Sequence, residues 1–118
     1  MPSPRVERWR AAWHGGDADV VAALYAPRGI HDSAKVAEAM PALGRTELRG
    51  REEIHAYAAG AFERVGWLKF EFLNVVESDH LSAMEYLRTS GIDPTPHRVV
   101  EVLEWDGELL AAVRVYHP

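Results

Sequence analysis

Glu101 is a carboxylate set among apolar neighbours, a placement suited to acid–base chemistry. It lies in the run Arg98, Val99, Val100, Glu101, Val102, Leu103, Glu104 and Trp105, which reads as a strand. Asp106-Gly107 then turns the chain into a second β-rich run, 109–116, and an Asp-Gly between two such runs is a strong hairpin signal. Alternation puts Val99, Glu101, Leu103 and Trp105 on one face. An unpaired charge buried there is costly, or is relieved by a pKa shift. A carboxyl kept protonated near neutral pH can donate a hydrogen bond to a developing oxyanion.

Other side chains could join it. Arg88 shares a strand face with Met84 and Tyr86, while Glu85 and Leu87 take the other; which face is concave stays open. Phe70, Phe72 and Asn74 share a face with Leu68 and Val76, which reads as the concave one and makes Asn74 a polar contact for a ligand. Trp9, Trp13, Tyr57, Phe70, Phe72 and Trp105 are core candidates, and a subset should line a cavity, since ligand pockets are mainly apolar and aromatic. Val113 and His117 share a face, with His117 towards a pocket mouth. His97 lies four residues before Glu101 and on its face if the strand starts that early. His31 adjoins Asp32, but strand neighbours point to opposite faces, so a His-Asp dyad would need irregular backbone. Arg45, Arg49 and Arg51 read as a solvated basic cluster. The six histidines have no close ligand spacing, so no metal site and no cofactor are expected.

At 118 residues the chain is long enough for one domain, 1–118, with a real core. Its 47% hydrophobic content fits a folded protein, and its net charge of −5 argues against a nucleic-acid partner. With no cysteine it has neither disulfide nor thiolate nucleophile. No stretch approaches a membrane span and the first residues lack an apolar signal core, so a cytoplasmic protein without a membrane partner is expected.

The elements that must position these groups are legible in outline. A helix is expected over 4–13, with Val6, Trp9, Ala12 and Trp13 on one face and Ser3 as its cap. A second helix is expected over 18–25 behind Asp17, a short strand over 30–33, and a third helix over 51–64 with Ile54, Tyr57, Ala58, Ala61 and Phe62 inward. Residues 34–49 read as irregular, interrupted by Pro41 and Gly44. Strands at 67–77, 80–90, 98–105 and 109–116 close the chain. Helices first and an antiparallel sheet after them make an α+β fold.

This order, with Trp13-His14-Gly15-Gly16-Asp17, Ala23-Leu24-Tyr25-Ala26-Pro27, Leu48-Arg49-Gly50-Arg51-Glu52-Glu53-Ile54 and Val113-Arg114-Val115-Tyr116, resembles the nuclear transport factor 2-like superfamily. Within it the chain resembles the SnoaL-like group of polyketide cyclases, ketosteroid isomerases and limonene-epoxide-hydrolase-type enzymes. The resemblance implies a cone: a strongly curved, mostly antiparallel sheet wrapped around the helices, with a deep pocket. It implies a catalytic base at Asp32, after the first short strand, and a protonated acid at Glu101. Trp9 falls where related isomerases carry an oxyanion-donating tyrosine, a departure that replaces a phenol with an indole N–H.

Two carboxylates in one apolar pocket cannot both ionise cheaply, so one pKa rises and an acid–base pair results. The alternative is that Asp32 caps a loop and Glu101 pairs with a structural arginine. The expected function is cofactor-free cyclisation, isomerisation or dehydration of a hydrophobic, oxygenated small molecule, such as a polyketide or steroid-like compound. Asp32→Asn would then abolish activity, and Glu101→Gln would keep part of it. An inward Arg88 between Asp32 and Glu101 would instead suit water addition to an epoxide. A non-catalytic binding or dimerisation module is the third reading. Lys69, Glu71, Val75, Val100, Val102 and Arg114 are expected on the convex face, where a second copy would cover the apolar ones; the resemblance also implies a homodimer.

Overall fold

The computed structural model describes residues 2–118. Helix α1 spans Pro4–Gly15, with the Ser3 side chain accepting from Val6 N–H and Gly16 closing it in the left-handed region. Proline suits the first turn because its missing N–H would have had no partner there. Val6, Trp9, Ala12 and Trp13 form its buried stripe, as the spacing predicts. Ser3 also bonds through its N–H and hydroxyl to Glu77, which pins the start of α1 to the far end of a strand.

Helix α2, Ala18–Ala23, starts on Asp17, whose side chain accepts from Asp19 N–H. It is shorter than the sequence suggests, because Tyr25 already belongs to strand β1, Tyr25–Ser33. This strand is interrupted by a register shift between Tyr25 and Ile30, where it runs parallel to the last strand. Gly29 lies in that irregularity. A Cβ on it would come within 2.9 Å of the Leu110 carbonyl oxygen, so the close approach requires glycine.

The segment expected to be irregular holds three short elements. Helix α3 spans Ala34–Ala39 and is capped by the Ser33 hydroxyl. A 3-10 turn at Pro41–Leu43 ends on left-handed Gly44. Strand β2, Glu47–Arg49, pairs antiparallel with β1. Helix α4, Gly50–Val65, buries Ile54, Ala58, Ala61 and Val65. Its first turn is fixed by Glu53, which takes Arg49 N–H and pairs with Arg45 at 2.7 Å. The Arg45 hydrogen bond holds the Glu53 carboxyl down at about 2. The basic cluster is thus part of the scaffold rather than a purely solvated face: Arg45 holds Glu53, Arg49 pairs with Glu47, and Arg51 donates to the Tyr25 carbonyl.

Strands β3 (Leu68–Glu77), β4 (Leu81–Ser90), β5 (His97–Asp106) and β6 (Leu109–Tyr116) complete a six-stranded sheet. Its order is β2-β1-β6-β5-β4-β3, antiparallel except where β1 meets β6. The helices pack on the inner face. Trp9 is fully buried at the centre, stacked on Phe70 with ring centroids 5.2 Å apart.

One bulge corrects a facing prediction. The register of β3 against β4 shifts between Phe72 and Asn74, so Leu73 is the extra residue. A single extra residue exchanges the faces of everything after it. Asn74 and Val76 therefore turn outward, and Val75, expected on the convex face, packs against the core. The other outward assignments agree with the register: Val100, Val102 and Arg114 lie on the face opposite Glu101.

Candidate functional site

Inside the curved sheet lies a cavity of about 390 Å³. Trp9 and Trp13 of α1, Tyr57, Ala61 and Val65 of α4, and Leu68 and Phe70 of β3 give its apolar lining. Its polar groups are His31, Tyr86, Arg88, Glu101 and His117, with Lys35, Glu38 and Arg64. A smaller hollow of about 290 Å³ adjoins it and shares Lys35, Arg88, Ile92 and His117.

Glu101 lies within the cavity wall and is only 3% exposed. Antiparallel pairing sets it opposite Met84 and sets Tyr86 opposite Val99. Tyr86 is then its diagonal neighbour, a separation that a long aromatic side chain can bridge. The Tyr86 hydroxyl donates to Glu101 Oε1 at 2.8 Å. Burial pushes the Glu101 carboxyl up to about 7, against the opposing effects of Tyr86 and the nearby Trp9 N–H. Trp9 Nε1 completes no hydrogen bond of good geometry, nor does Trp13 Nε1, and both are buried. An unsatisfied buried donor costs about 1–3 kcal/mol, so these indoles keep unused donor capacity in the cavity wall.

His31 is the second titratable group of the inner wall. In β1, Ile30 and Asp32 face away while His31 and Ser33 face in, both nearly fully buried. Across the sheet Glu101, Val115 and Ser33 form one row, and Leu103, Val113 and His31 the next. Desolvation lowers the His31 imidazole to about 4, so it is neutral near pH 7. Its Nδ1 lies 2.8 Å from the Tyr25 hydroxyl. Burial raises the Tyr25 phenol well above its ordinary value, so it keeps its proton. Among the described residues His31 is its one side-chain partner, so Tyr25 donates to Nδ1, which leaves the imidazole proton on Nε2.

Seven of the expected site residues line the cavity: Trp9, Trp13, Tyr57, Phe70, Arg88, Glu101 and His117. Arg88 faces inward with Met84 and Tyr86, which resolves the open question of that strand's concave side. His117 Nε2 lies 3.2 Å from the Ser33 hydroxyl, and His117 lines both hollows.

Six do not line it. Asp32 points to the outer side of β1, where Thr46 donates to it at 2.9 Å. Strand alternation separates it from Glu101, and no dyad with His31 forms. Asn74 is turned out by the bulge and donates to Glu85. Phe72 packs against Trp9 and beneath Arg10 outside the cavity. Trp105 is core: its N–H donates to Ser82 and Arg5 lies over its ring. Val113 is fully buried beneath the wall. His97 is exposed, bonded to Asp93 at 2.6 Å, and borders only the smaller hollow.

Tyr86 and Tyr25, which bond the two buried titratable groups, are left unassigned by sequence reasoning, and His31 stands there as one candidate among several. The signal for Tyr86 was its shared parity with Arg88; for His31 it was the alternation that sends Asp32 outward. Among the described residues no three His, Asp or Glu side chains converge as a metal-holding group, and no helix is long and apolar enough to cross a membrane.

A curved sheet around an N-terminal helix, with a polar-studded apolar cavity, defines the cystatin-like, nuclear transport factor 2-like class. The family model for the SnoaL-like domain matches residues 6–113, and the chain belongs to that family. Among solved structures, a SnoaL-like protein of unknown function from Burkholderia thailandensis is similar at 19% identity and a TM-score of 0.78, covering 95% of this chain and 89% of its own. A protein with a ketosteroid isomerase-like fold from Catenulispora acidiphila, solved with trimethylamine, is 20% identical over 99% of this chain and 87% of its own, with a TM-score of 0.78. A candidate polyketide cyclase from Sinorhizobium meliloti is 11% identical over 98% of this chain and 95% of its own, at the same TM-score of 0.78. At these identities the likeness is one of fold. No curated protein matches the chain.

Proposed function

We propose that the protein is a small acid–base enzyme that moves a proton on a hydrophobic, oxygenated small molecule, in an isomerisation, cyclisation or dehydration. The observation that carries this reading is Glu101: a carboxyl buried in a cavity wall and poised near 7. A group with that pKa can take a proton from carbon and return it at neutral pH, which is the optimum for general acid–base catalysis. The oxygen that gains charge needs donors. His31 Nε2–H, Trp13 Nε1–H and the Tyr57 hydroxyl line the same cavity. A neutral imidazole donor avoids transferring its proton to an enolate outright, because its conjugate anion is far more basic. The mainly apolar walls lower the local polarity, which strengthens each of these contacts.

The test is deuterium exchange at the carbon next to the carbonyl in a panel of fused-ring ketones, followed by proton NMR in D₂O. Exchange above the buffer rate with the wild type, and at the buffer rate with Glu101→Gln, is expected. No protein-dependent exchange across the panel would count against the reading.

Asp32 has no part in this scheme. Asp32→Asn should change the exchange rate by less than about twofold, since its side chain lies across the sheet from the cavity and touches Thr46. A loss comparable with that of Glu101→Gln would restore it as the base. Water addition to an epoxide keeps Arg88 but loses the second carboxylate at Asp32, and so is the weaker reading.

The proposal extends to a homodimer. Val76, Val100 and Tyr116 are exposed on the outer face of the sheet, and a second copy would cover them. Sedimentation should then give twice the 13.2 kDa chain mass, and Val100→Lys should shift the particle towards the single-chain mass. A wild type that sediments as a single chain would refute the dimer.

A further inference from the structure

Among the described residues, the cation at the junction between the two hollows has no counter-ion. Arg88 is half-buried there and lines both chambers. Nearby acids are engaged elsewhere. Asp93 bonds His97 at 2.6 Å, and Glu38 lies 3.7 Å from Lys35. Glu101 is bonded to Tyr86. Among the described residues Arg88 itself makes no side-chain hydrogen bond and no ion pair. Lys35 and His117 border both chambers with it, and Arg64 borders the inner one. In a chain of net charge −5, Lys35, Arg64 and Arg88 thus bring three cations to a cavity wall whose acids are Glu38 and the buried Glu101, while burial lowers His117, which adds no fixed charge near pH 7.

We propose that the ligand of this cavity is an amphiphilic acid, whose carboxylate is bound by Arg88 at the junction while its apolar, oxygenated body fills the inner chamber. This assignment rests on the reading of the cavity as a small-molecule site. The planar guanidinium fork matches a carboxylate in two parallel hydrogen bonds. A partly desolvated cation gains more from such a partner than one in water. The arrangement also gives direction: with its head at Arg88, the body of the ligand points past Tyr57 and Tyr86 towards Glu101. That fixes which end of the substrate meets the titrating carboxyl.

The probes are 2-naphthylacetate and its neutral amide, 2-naphthylacetamide, titrated calorimetrically at pH 6. There Glu101 mainly keeps its proton and does not repel the acid. The wild type should bind the acid about tenfold or more tighter than the amide. Arg88→Met, which keeps most of the packing, should remove that preference, bringing the acid's affinity to that of the amide. Arg88→Lys, which keeps the charge and loses the fork, should fall between them and serves if the methionine variant does not fold. Equal binding of acid and amide by the wild type would overturn the proposal. So would a preference that survives in Arg88→Met, or no binding of either probe. Equal binding with Glu101-dependent exchange intact would discard the anionic head and keep the acid–base reading. A clear acid preference without exchange would do the reverse.

Discussion

Glu101→Gln should fold, lose about 10²–10⁴-fold of the exchange activity, and gain stability relative to the wild type as pH rises. The amide fills the same volume and can still accept from Tyr86, but it cannot take a proton from carbon. The stability effect follows from linkage. In the folded chain burial raises the carboxyl from 4.5 to about 7. Below about 4.5 the group is protonated in both states, and its contribution is fully present. As pH rises through 7 the unfolded chain has already released the proton, while the folded chain must ionise a buried group. The loss is about 3 kcal/mol for such a shift. Glutamine does not titrate, so the variant should lead the wild type by about that much more at pH 8 than at pH 4.5.

His31 has the opposite sign. Its folded value, about 4 against 6.5, gives stability that is present above 6.5 and lost as pH falls through 4. In the wild type the two slopes oppose each other between about 4.5 and 6.5. In the glutamine variant the His31 slope is unopposed by Glu101, and burial lowers His14 and His117 in the same sense, so its melting temperature should climb with pH across that window. Parallel melting curves for the two proteins would mean that Glu101 ionises as an ordinary carboxylate.

Trp9→Ala should be the most damaging single change in the core, lowering unfolding free energy by about 3–5 kcal/mol. Trp9 is fully buried and stacks on Phe70 and Phe72, with Tyr86 tilted against it. Removing it empties the space between α1 and two strands and frees the tyrosine that orients Glu101. Trp9→Phe keeps most of the ring contact and removes only the N–H. That variant should cost far less, and should raise the Glu101 pKa further, because the indole favours the charged carboxylate. Urea unfolding of both variants reads the first effect, and the pH dependence of exchange reads the second. A Trp9→Ala protein as stable as Trp9→Phe would contradict the packing described.

Much of this is legible in the sequence. The Asp-Gly hairpin, the stripe Val6, Trp9, Ala12 and Trp13, and Glu101 among apolar neighbours are all local patterns, and local patterns survive folding. What the sequence hid was parity. The bulge at Leu73 exchanges the faces of β3 without any mark in composition, and it carried Asn74 out of the wall. Asp32 was placed inward by family likeness, yet the alternation of β1 gives the wall to His31 instead. Tyr25 looked like the end of a helix because its hydrophobic spacing continues that of Val21; its pairing with Leu110 is non-local and overrides the helical pattern. Tyr86 gains its role only from register with β5, which no single segment encodes.

The chemistry proposed for this cavity requires Glu101 to be a carboxyl poised near neutrality. Carbon-13 NMR of protein labelled at the glutamate side-chain carboxyl, with Glu101→Gln to assign the signal, measures it directly. A resonance titrating at about 7, absent from the variant, is the predicted result. A Glu101 signal that titrates near 4.5 would contradict the account.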